Sequence, residues 1–195
     1  MTSRSRRARQ RADQRRRRRA QFLFAGALVV LLLAGILIAI ATRRVSPIGS
    51  VTDPARFDLP ALSGPGRVSL AAYRGHPVVV NLFASWCTEC QHELPGFAKV
   101  AAATRGQIAF VGVNSEESGD GAAMAARFHL ADAGFALARD VGPSPASGLH
   151  DALLAPGMPV TAFYDAQGRL VDRSLGALAE SDLRARLDRL YGTHL

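Results

Sequence analysis

The stretch VVVNLFASWCTEC, residues 78–90, decides the fold of this chain. Its first seven residues form a nearly continuous apolar run, which is typical of a strand buried on both faces of an α/β sheet. A helical pattern follows over residues 88–103. The two cysteines of the chain, Cys87 and Cys90, therefore lie where a buried strand gives way to a helix.

Two short predicted strands precede this stretch, and strands and helices alternate after it. The alternation predicts an α/β sandwich with one core. The predicted strands cover residues 57–62, 67–70, 78–84, 108–113, 135–138, 160–164 and 170–174, and the predicted helices cover 88–103, 121–131 and 180–190. The last helix carries Leu183, Leu187 and Leu190 on one stripe. Residues 140–156, rich in Gly, Pro and Ala, are assigned no site.

The position of the cysteine pair predicts its chemistry. Unpaired N–H groups and the positive end of the helix dipole stabilise a thiolate at Cys87, which lowers the pKa of that thiol. Cys90 lies three residues further on the same face, where it can attack a mixed disulfide formed by Cys87. The pair therefore predicts a two-step thiol–disulfide exchange.

Three other uses of the pair fit less well. A structural disulfide would close a very small loop and remove little chain entropy. A zinc site needs two further ligands, and only His92 is near in sequence. Haem attachment requires a histidine directly after Cys90, where the chain has Gln91. We therefore expect neither a metal nor a cofactor at this pair.

The N-terminal region predicts a membrane anchor. Ten of the 24 Lys and Arg residues lie within residues 1–20, and residues 21–42 carry no formal charge. Twenty-two residues at about 1.5 Å each span roughly 30 Å of hydrocarbon. A cleaved signal peptide is the alternative, but its apolar core is shorter and Arg43 and Arg44 follow as a stop.

The arginine bias predicts the topology of the chain. We expect residues 1–20 to be a cytoplasmic tail, 21–42 a transmembrane helix, 45–56 a linker, and 57–195 an extracytoplasmic domain of a cell-membrane protein. From residue 45 onward the net charge is −3, so the domain offers no basic face to a nucleic acid. Non-specific contact of the arginine tail with RNA or DNA is the less favoured alternative.

Six segments, in this order, resemble the membrane-anchored thioredoxin-like proteins of the TlpA and ResA type. The segments are FDLPAL with GRVSLAAYRG, VVVNLFASWCTEC, QHELP, FVGVNSEES, Met158-Pro159-Val160 and FYDAQGRLVDRSLG. The match runs from about residue 57 to 191. The resemblance implies a thioredoxin-like fold, with a central mixed sheet flanked by helices, and a thiol–disulfide oxidoreductase activity.

The resemblance also implies roles for individual residues. Pro159 is similar to the cis-proline that faces the cysteines, and Met158 before it pairs through its backbone with an extended substrate. Trp86 resembles the indole beside the thiols that contacts substrate. Glu93 matches an acidic residue that relays the proton of Cys90. It takes over the role of a buried aspartate for which this chain has Asn81.

The expected partners follow from the same resemblance. They are disulfides of exported or membrane proteins, apocytochrome c among them, and a membrane electron donor of the thiol-relay type, with the chain a monomer. The carboxylate of Glu89 between the cysteines favours a reducing couple because it disfavours the thiolate.

The cysteine pair also allows functions other than disulfide reduction. A disulfide oxidase is the main alternative. A metal chaperone fits less well. The relatives that this function resembles carry Cys-x-x-x-Cys, and the spacing between Cys87 and Cys90 is one residue shorter. A thiol peroxidase would need Thr in place of Ala84.

Overall fold

The computed structural model describes Val51, residues 53–140 and residues 148–194. The predicted cytoplasmic tail (1–20), the transmembrane helix (21–42) and most of the linker lie outside the described residues. Among the helices that are described, none combines the length and the apolar character needed to cross a membrane.

The described part of the chain is an α/β structure of seven strands and four α-helices. The strands are β1 (Asp58–Pro60), β2 (Arg67–Ser69), β3 (Val78–Phe83), β4 (Ala109–Asn114), β5 (Phe135–Arg139), β6 (Val160–Tyr164) and β7 (Leu170–Leu175). The helices are α1 (Thr88–Ala103), α2 (Gly121–Arg127), α3 (Leu149–Ala152) and α4 (Glu180–Tyr191). Two short 3-10 helices cover Pro54–Arg56 and Leu70–Tyr73.

Five strands form a mixed sheet in the order β5-β4-β3-β6-β7. Strand β3 lies at its centre, parallel to β4 and antiparallel to β6, and β5 is parallel to β4. Strands β1 and β2 form a separate antiparallel pair. The central mixed sheet flanked by helices, expected from the sequence, is therefore confirmed.

Two apolar clusters form the core, and the alternation of side chains along β3 divides its residues between them. Val79 and Phe83 belong to the cluster that includes Leu94 and Phe97 of α1 and Leu183 of α4. Val78, Val80 and Leu82 belong to the cluster that includes Phe57, Leu59 and Leu149. All six residues of β3 are buried, as the continuous apolar run predicts.

Helix α2 is shorter than the predicted span of residues 121–131. It ends at Arg127, and His129 then takes a left-handed conformation with φ of 54°. The N–H of Leu130 donates to the carbonyl oxygen of Ala125 at 3.1 Å. No glycine or proline interrupts the chain between Arg127 and Gly134, but the backbone turns because Leu130 is drawn into the core, where it is fully buried.

Helix α3 lies in residues 140–156, the stretch to which the sequence assigned no site. The side chain of Asp140 accepts hydrogen bonds from the backbone N–H groups of Leu149 and His150 at 2.8 and 3.0 Å. The side chains of Leu149 and Leu153 are buried in the core. Four residues are too few to give a recognisable helical period, which is why the sequence does not predict this element.

Candidate thiol–disulfide exchange site

Cys87 and Cys90 form a disulfide at the N-terminus of α1. Cys87 is the N-cap of the helix, and its Sγ accepts a hydrogen bond from the backbone N–H of Cys90 at 3.0 Å. Cys87 is 4% exposed and Cys90 is fully buried, so Cys87 is the more exposed residue of the pair. When the pair is reduced, a thiolate at Cys87 would face the free N–H groups and the positive end of the helix dipole.

The carboxyl group of Glu93 is buried one helical turn beyond Cys90. Its side chain is bound at both oxygens: Oε1 accepts from Asn81 Nδ2 at 2.7 Å, and Oε2 accepts from the backbone N–H of Leu178 at 2.9 Å. Glu93 is 4% exposed. Residues three apart on a helix lie on one face, so Glu93 and Cys90 point into the same buried region.

Burial sets the acidity of Glu93. Desolvation raises the pKa of this carboxyl from 4.5 to about 7, against the opposing effect of the hydrogen bonds from Leu178 and Asn81. The negative charge of Glu89 adds a smaller increase. A carboxyl with this pKa exchanges protons near neutral pH.

Asn81 connects Glu93 to the centre of the sheet. Its Nδ2 also donates to Thr161 Oγ1 in β6, at 3.3 Å, while its first hydrogen bond reaches Glu93 on α1. Asn81, the position for which the resemblance implies a buried aspartate in related proteins, is therefore in direct contact with Glu93. That Glu93 stands in for that acid stays a prediction.

Trp86 lies at the surface next to Cys87. Its side chain is 52% exposed, so it does not fill the core. Its indole N–H donates to the backbone carbonyl of Glu116 at 2.7 Å. An aromatic side chain that is held by its N–H group and is half exposed to solvent is suited to contact with a bound polypeptide.

The peptide bond between Met158 and Pro159 is cis, as the resemblance implied. Met158 is half-buried and packs against the core cluster that contains Cys87 and Cys90. Pro159 is buried, and its carbonyl oxygen accepts from the N–H of Gly176 at 2.9 Å.

Glu117 is a site residue that the sequence reasoning did not single out. It follows the end of β4, and its carboxylate accepts hydrogen bonds from the N–H and the hydroxyl of Ser85, two residues before Cys87. Burial opposes its ionisation, but the hydrogen bonds from Ser85, Asn114 and Gly119 prevail and lower its pKa to about 2. The available signal was its place at the carboxyl end of a strand parallel to β3, where sites in α/β sheets are found.

Two further observations concern metal binding and the residue three positions before Cys87. Within the ranges that the structure covers, no group of three or more His, Cys, Asp or Glu side chains is placed to hold a metal ion. Ala84, which stands where a thiol peroxidase would need Thr, is fully buried.

A Cys-x-x-Cys pair at the start of a helix, on a central mixed sheet, defines a thioredoxin-like thiol–disulfide oxidoreductase. The family model described as the AhpC/TSA family matches residues 51–173, and the chain belongs to this family. The sequence-based identification as a thioredoxin-like oxidoreductase is thus confirmed.

Similar proteins carry related names. The chain is 29% identical over 177 residues to the thiol:disulfide interchange protein DsbE of Pseudomonas fluorescens biotype C, covering 84% of this chain and 92% of that protein. It is 30% identical over 112 residues to the thiol:disulfide interchange protein HelX of Rhodobacter capsulatus, covering 57% and 59%. A secreted Mycobacterium tuberculosis disulfide oxidoreductase, homologous to E. coli DsbE, superposes with a TM-score of 0.57 at 25% identity, covering 70% and 98%.

Proposed function

We propose that this chain is a membrane-anchored, extracytoplasmic reductase that reduces disulfides of exported or membrane proteins, apocytochrome c among them. The observation that carries the proposal is the Cys87–Cys90 pair at the N-terminus of α1, with the carboxyl of Glu93 buried one turn behind Cys90. This arrangement offers the more exposed of the two cysteines as nucleophile, the buried one as resolving thiol and a carboxylate as proton acceptor.

In the proposed reaction the reduced chain attacks first through Cys87. Its thiolate forms a mixed disulfide with one substrate sulfur, and the other substrate sulfur leaves as a thiolate that takes a proton. Cys90 then attacks Sγ of Cys87 and releases the second substrate thiol. The substrate gains two electrons and two protons, and the chain ends in the disulfide form, which a membrane thiol-relay donor reduces again.

Glu93 is proposed to accept the proton of Cys90 in the second step. Cys90 is fully buried, and burial in apolar surroundings disfavours its thiolate, so the attack needs a base. Glu93 has a pKa of about 7 and lies on the same buried face. It can therefore take a proton at neutral pH and return it to solvent later.

Glu89 supports the reducing direction. Its side chain is exposed in the first turn of α1, where its negative charge reduces the positive potential that the helix N-terminus presents to Cys87. A thiolate at Cys87 is less stable beside such a charge, which makes the dithiol the less stable form and the couple more reducing.

The proposed substrate contacts lie beside the cysteines. Trp86 offers an exposed indole beside Cys87, and Met158 and Pro159 form the backbone segment that pairs with an extended substrate.

The apolar residues 21–42 behind ten arginines support a single membrane anchor with the domain outside. The names of the DsbE and HelX relatives support thiol–disulfide interchange, and we expect a monomer.

The reduction potential of the Cys87/Cys90 couple tests the proposed direction. We expect a reducing value in equilibrium with glutathione or dithiothreitol. A potential above about −150 mV, near that of strong oxidants with this fold, would favour the disulfide oxidase instead.

Substitution of each cysteine tests the order of steps. Cys90→Ser should accumulate a mixed disulfide with an oxidised apocytochrome c peptide, detected by mass, because no resolving thiol remains. Cys87→Ser should form none. Trapping by Cys87→Ser, or trapping by neither variant, would contradict the proposed roles.

A further inference from the structure

The loop after β4 is bound to the segment that precedes Cys87. Glu117 Oε2 accepts from the backbone N–H of Ser85 at 2.8 Å, and Glu117 Oε1 accepts from the Ser85 hydroxyl at 2.5 Å. The next residue of that segment, Trp86, donates its indole N–H to the carbonyl of Glu116. Two adjacent residues of the active-site segment are thus held by two adjacent residues of the loop. We call these contacts the Glu117 clamp.

The clamp needs a carboxylate. Oε2 also accepts from Asn114 Nδ2 at 2.7 Å, and Oε1 also accepts from the N–H groups of Ser118 and Gly119 at 2.9 and 2.7 Å. Every group that faces the two oxygens is therefore a donor. In Glu117→Gln an NH₂ group replaces one of the two oxygens and cannot accept a hydrogen bond. The donors that face that position, two at Oε2 or three at Oε1, lose their acceptor, so at least two hydrogen bonds would be lost.

The backbone of the loop is shaped to allow this contact. A Cβ atom added at Gly119 would lie 2.6 Å from Ser85 Oγ, closer than such atoms approach. A Cβ atom at Gly121 would overlap the side chain of Asn114. Asn114 in turn donates to the carbonyl of Phe83, the last residue of β3, at 3.2 Å. Glycine at both positions therefore lets the loop close against the active-site segment.

The active-site segment is also held from the helix side. Gln91 Nε2 of α1 donates to the carbonyl oxygen of Ser85 at 3.1 Å. Ser85 is therefore fixed through its N–H, its carbonyl and its hydroxyl, while the Trp86 indole beside it stays half exposed. The loop orients Trp86, which is exposed to solvent next to Cys87. Its hydrogen bonds therefore do more than stabilise the core.

We propose that Glu117 is a positioning residue of the exchange reaction, which holds Ser85 and thereby the Trp86 indole where a polypeptide disulfide docks against Cys87. The inference rests on the proposed exchange at Cys87. It predicts that Glu117 matters for substrates large enough to contact Trp86. A small disulfide, which needs only the Cys87 sulfur, should not depend on the clamp.

The test compares two substrates in single-turnover reactions of the pre-reduced full chain. With Glu117→Gln, the rate constant for an oxidised cysteine peptide should fall about tenfold, since misplacing a substrate contact weakens productive alignment. The rate constant for 5,5′-dithiobis(2-nitrobenzoate) should stay within about twofold, because its attack needs no alignment against Trp86. Asp120→Asn is the matched control: it removes a charge from the same loop and keeps the oxygen that accepts from Ala123.

Each outcome decides the inference. Equal losses with both substrates, or no loss with the peptide, would overturn it, as would a similar peptide defect in Asp120→Asn. Ser85→Ala, which removes the hydroxyl alone, should give a smaller selective loss and remains available if Glu117→Gln does not fold; no loss in this variant also counts against the inference. The rate constant of the double variant, Ser85→Ala with Glu117→Gln, for the peptide should be no lower than that of Glu117→Gln alone. If the wild-type chain itself reduces neither substrate, the proposed function fails instead.

Discussion

Replacing Glu93 with Gln should change how the free energy of unfolding depends on pH. The pKa of Glu93 is raised from 4.5 to about 7 in the fold. Between these pH values the native state holds a proton that the unfolded state has released. The stability linked to the protonated carboxyl is therefore complete below the unfolded pKa and is lost as pH rises through the folded pKa. The shift corresponds to about 3 kcal/mol.

The Gln side chain is neutral at every pH and escapes this loss. It cannot accept from both Asn81 and Leu178, because one of its terminal atoms is a nitrogen, and the lost hydrogen bond costs about 1 kcal/mol. We expect Glu93→Gln to be less stable than the wild type near pH 4 and more stable near pH 8, with the difference changing by roughly 3 kcal/mol.

Urea unfolding of the oxidised chain at a series of pH values measures this difference directly. Subtracting the wild-type curve cancels the histidines and other groups that titrate in both proteins. Glu89→Gln is the control, since it removes an exposed carboxylate one turn away. A difference between Glu93→Gln and wild type that stays constant with pH would refute the reasoning, as would an equal pH dependence in Glu89→Gln.

Two further predictions follow from the structure. Glu89→Lys should raise the reduction potential of the cysteine couple by about 10 to 30 mV, because a positive charge stabilises the Cys87 thiolate; an unchanged or lower value in a glutathione equilibrium would contradict this. Tyr164→Phe should lower the free energy of unfolding by about 1 kcal/mol, because the buried hydroxyl donates to the carbonyl of Pro54 at 2.9 Å. The hydroxyl of Tyr73 has no hydrogen bond to a described residue, so Tyr73→Phe should lower the free energy of unfolding less in the same urea titration.

The centre of the fold could be predicted because local signals agree there. The apolar run at 78–84 identifies β3, observed over Val78–Phe83, and the predicted helix 88–103 matches α1 at both ends. A strand buried on both faces is recognisable from composition alone. The position of the cysteines at the start of the helix follows from these two elements.

Other features depend on contacts between distant parts of the chain. The inward orientation of Glu93 came from the resemblance, and its partner at Leu178 is 85 residues away. Glu117 acts on Ser85 across 32 residues. The end of α2 is set by the burial of Leu130 rather than by helix propensity. Residue patterns carry no information about such contacts until the packing of the elements is known. For Glu117 and Ser85 this means the register between β3 and β4.

Trp86 is the only tryptophan in the sequence, and it lies next to Cys87, the proposed nucleophile. Tryptophan fluorescence of this chain therefore comes from one indole at the rim of the site. Its emission will respond to opening of the neighbouring disulfide, to loss of the hydrogen bond with Glu116, and to any polypeptide that covers its exposed faces. The protein thus carries an intrinsic optical probe of its own redox state and occupancy, and no label is needed to follow either in real time.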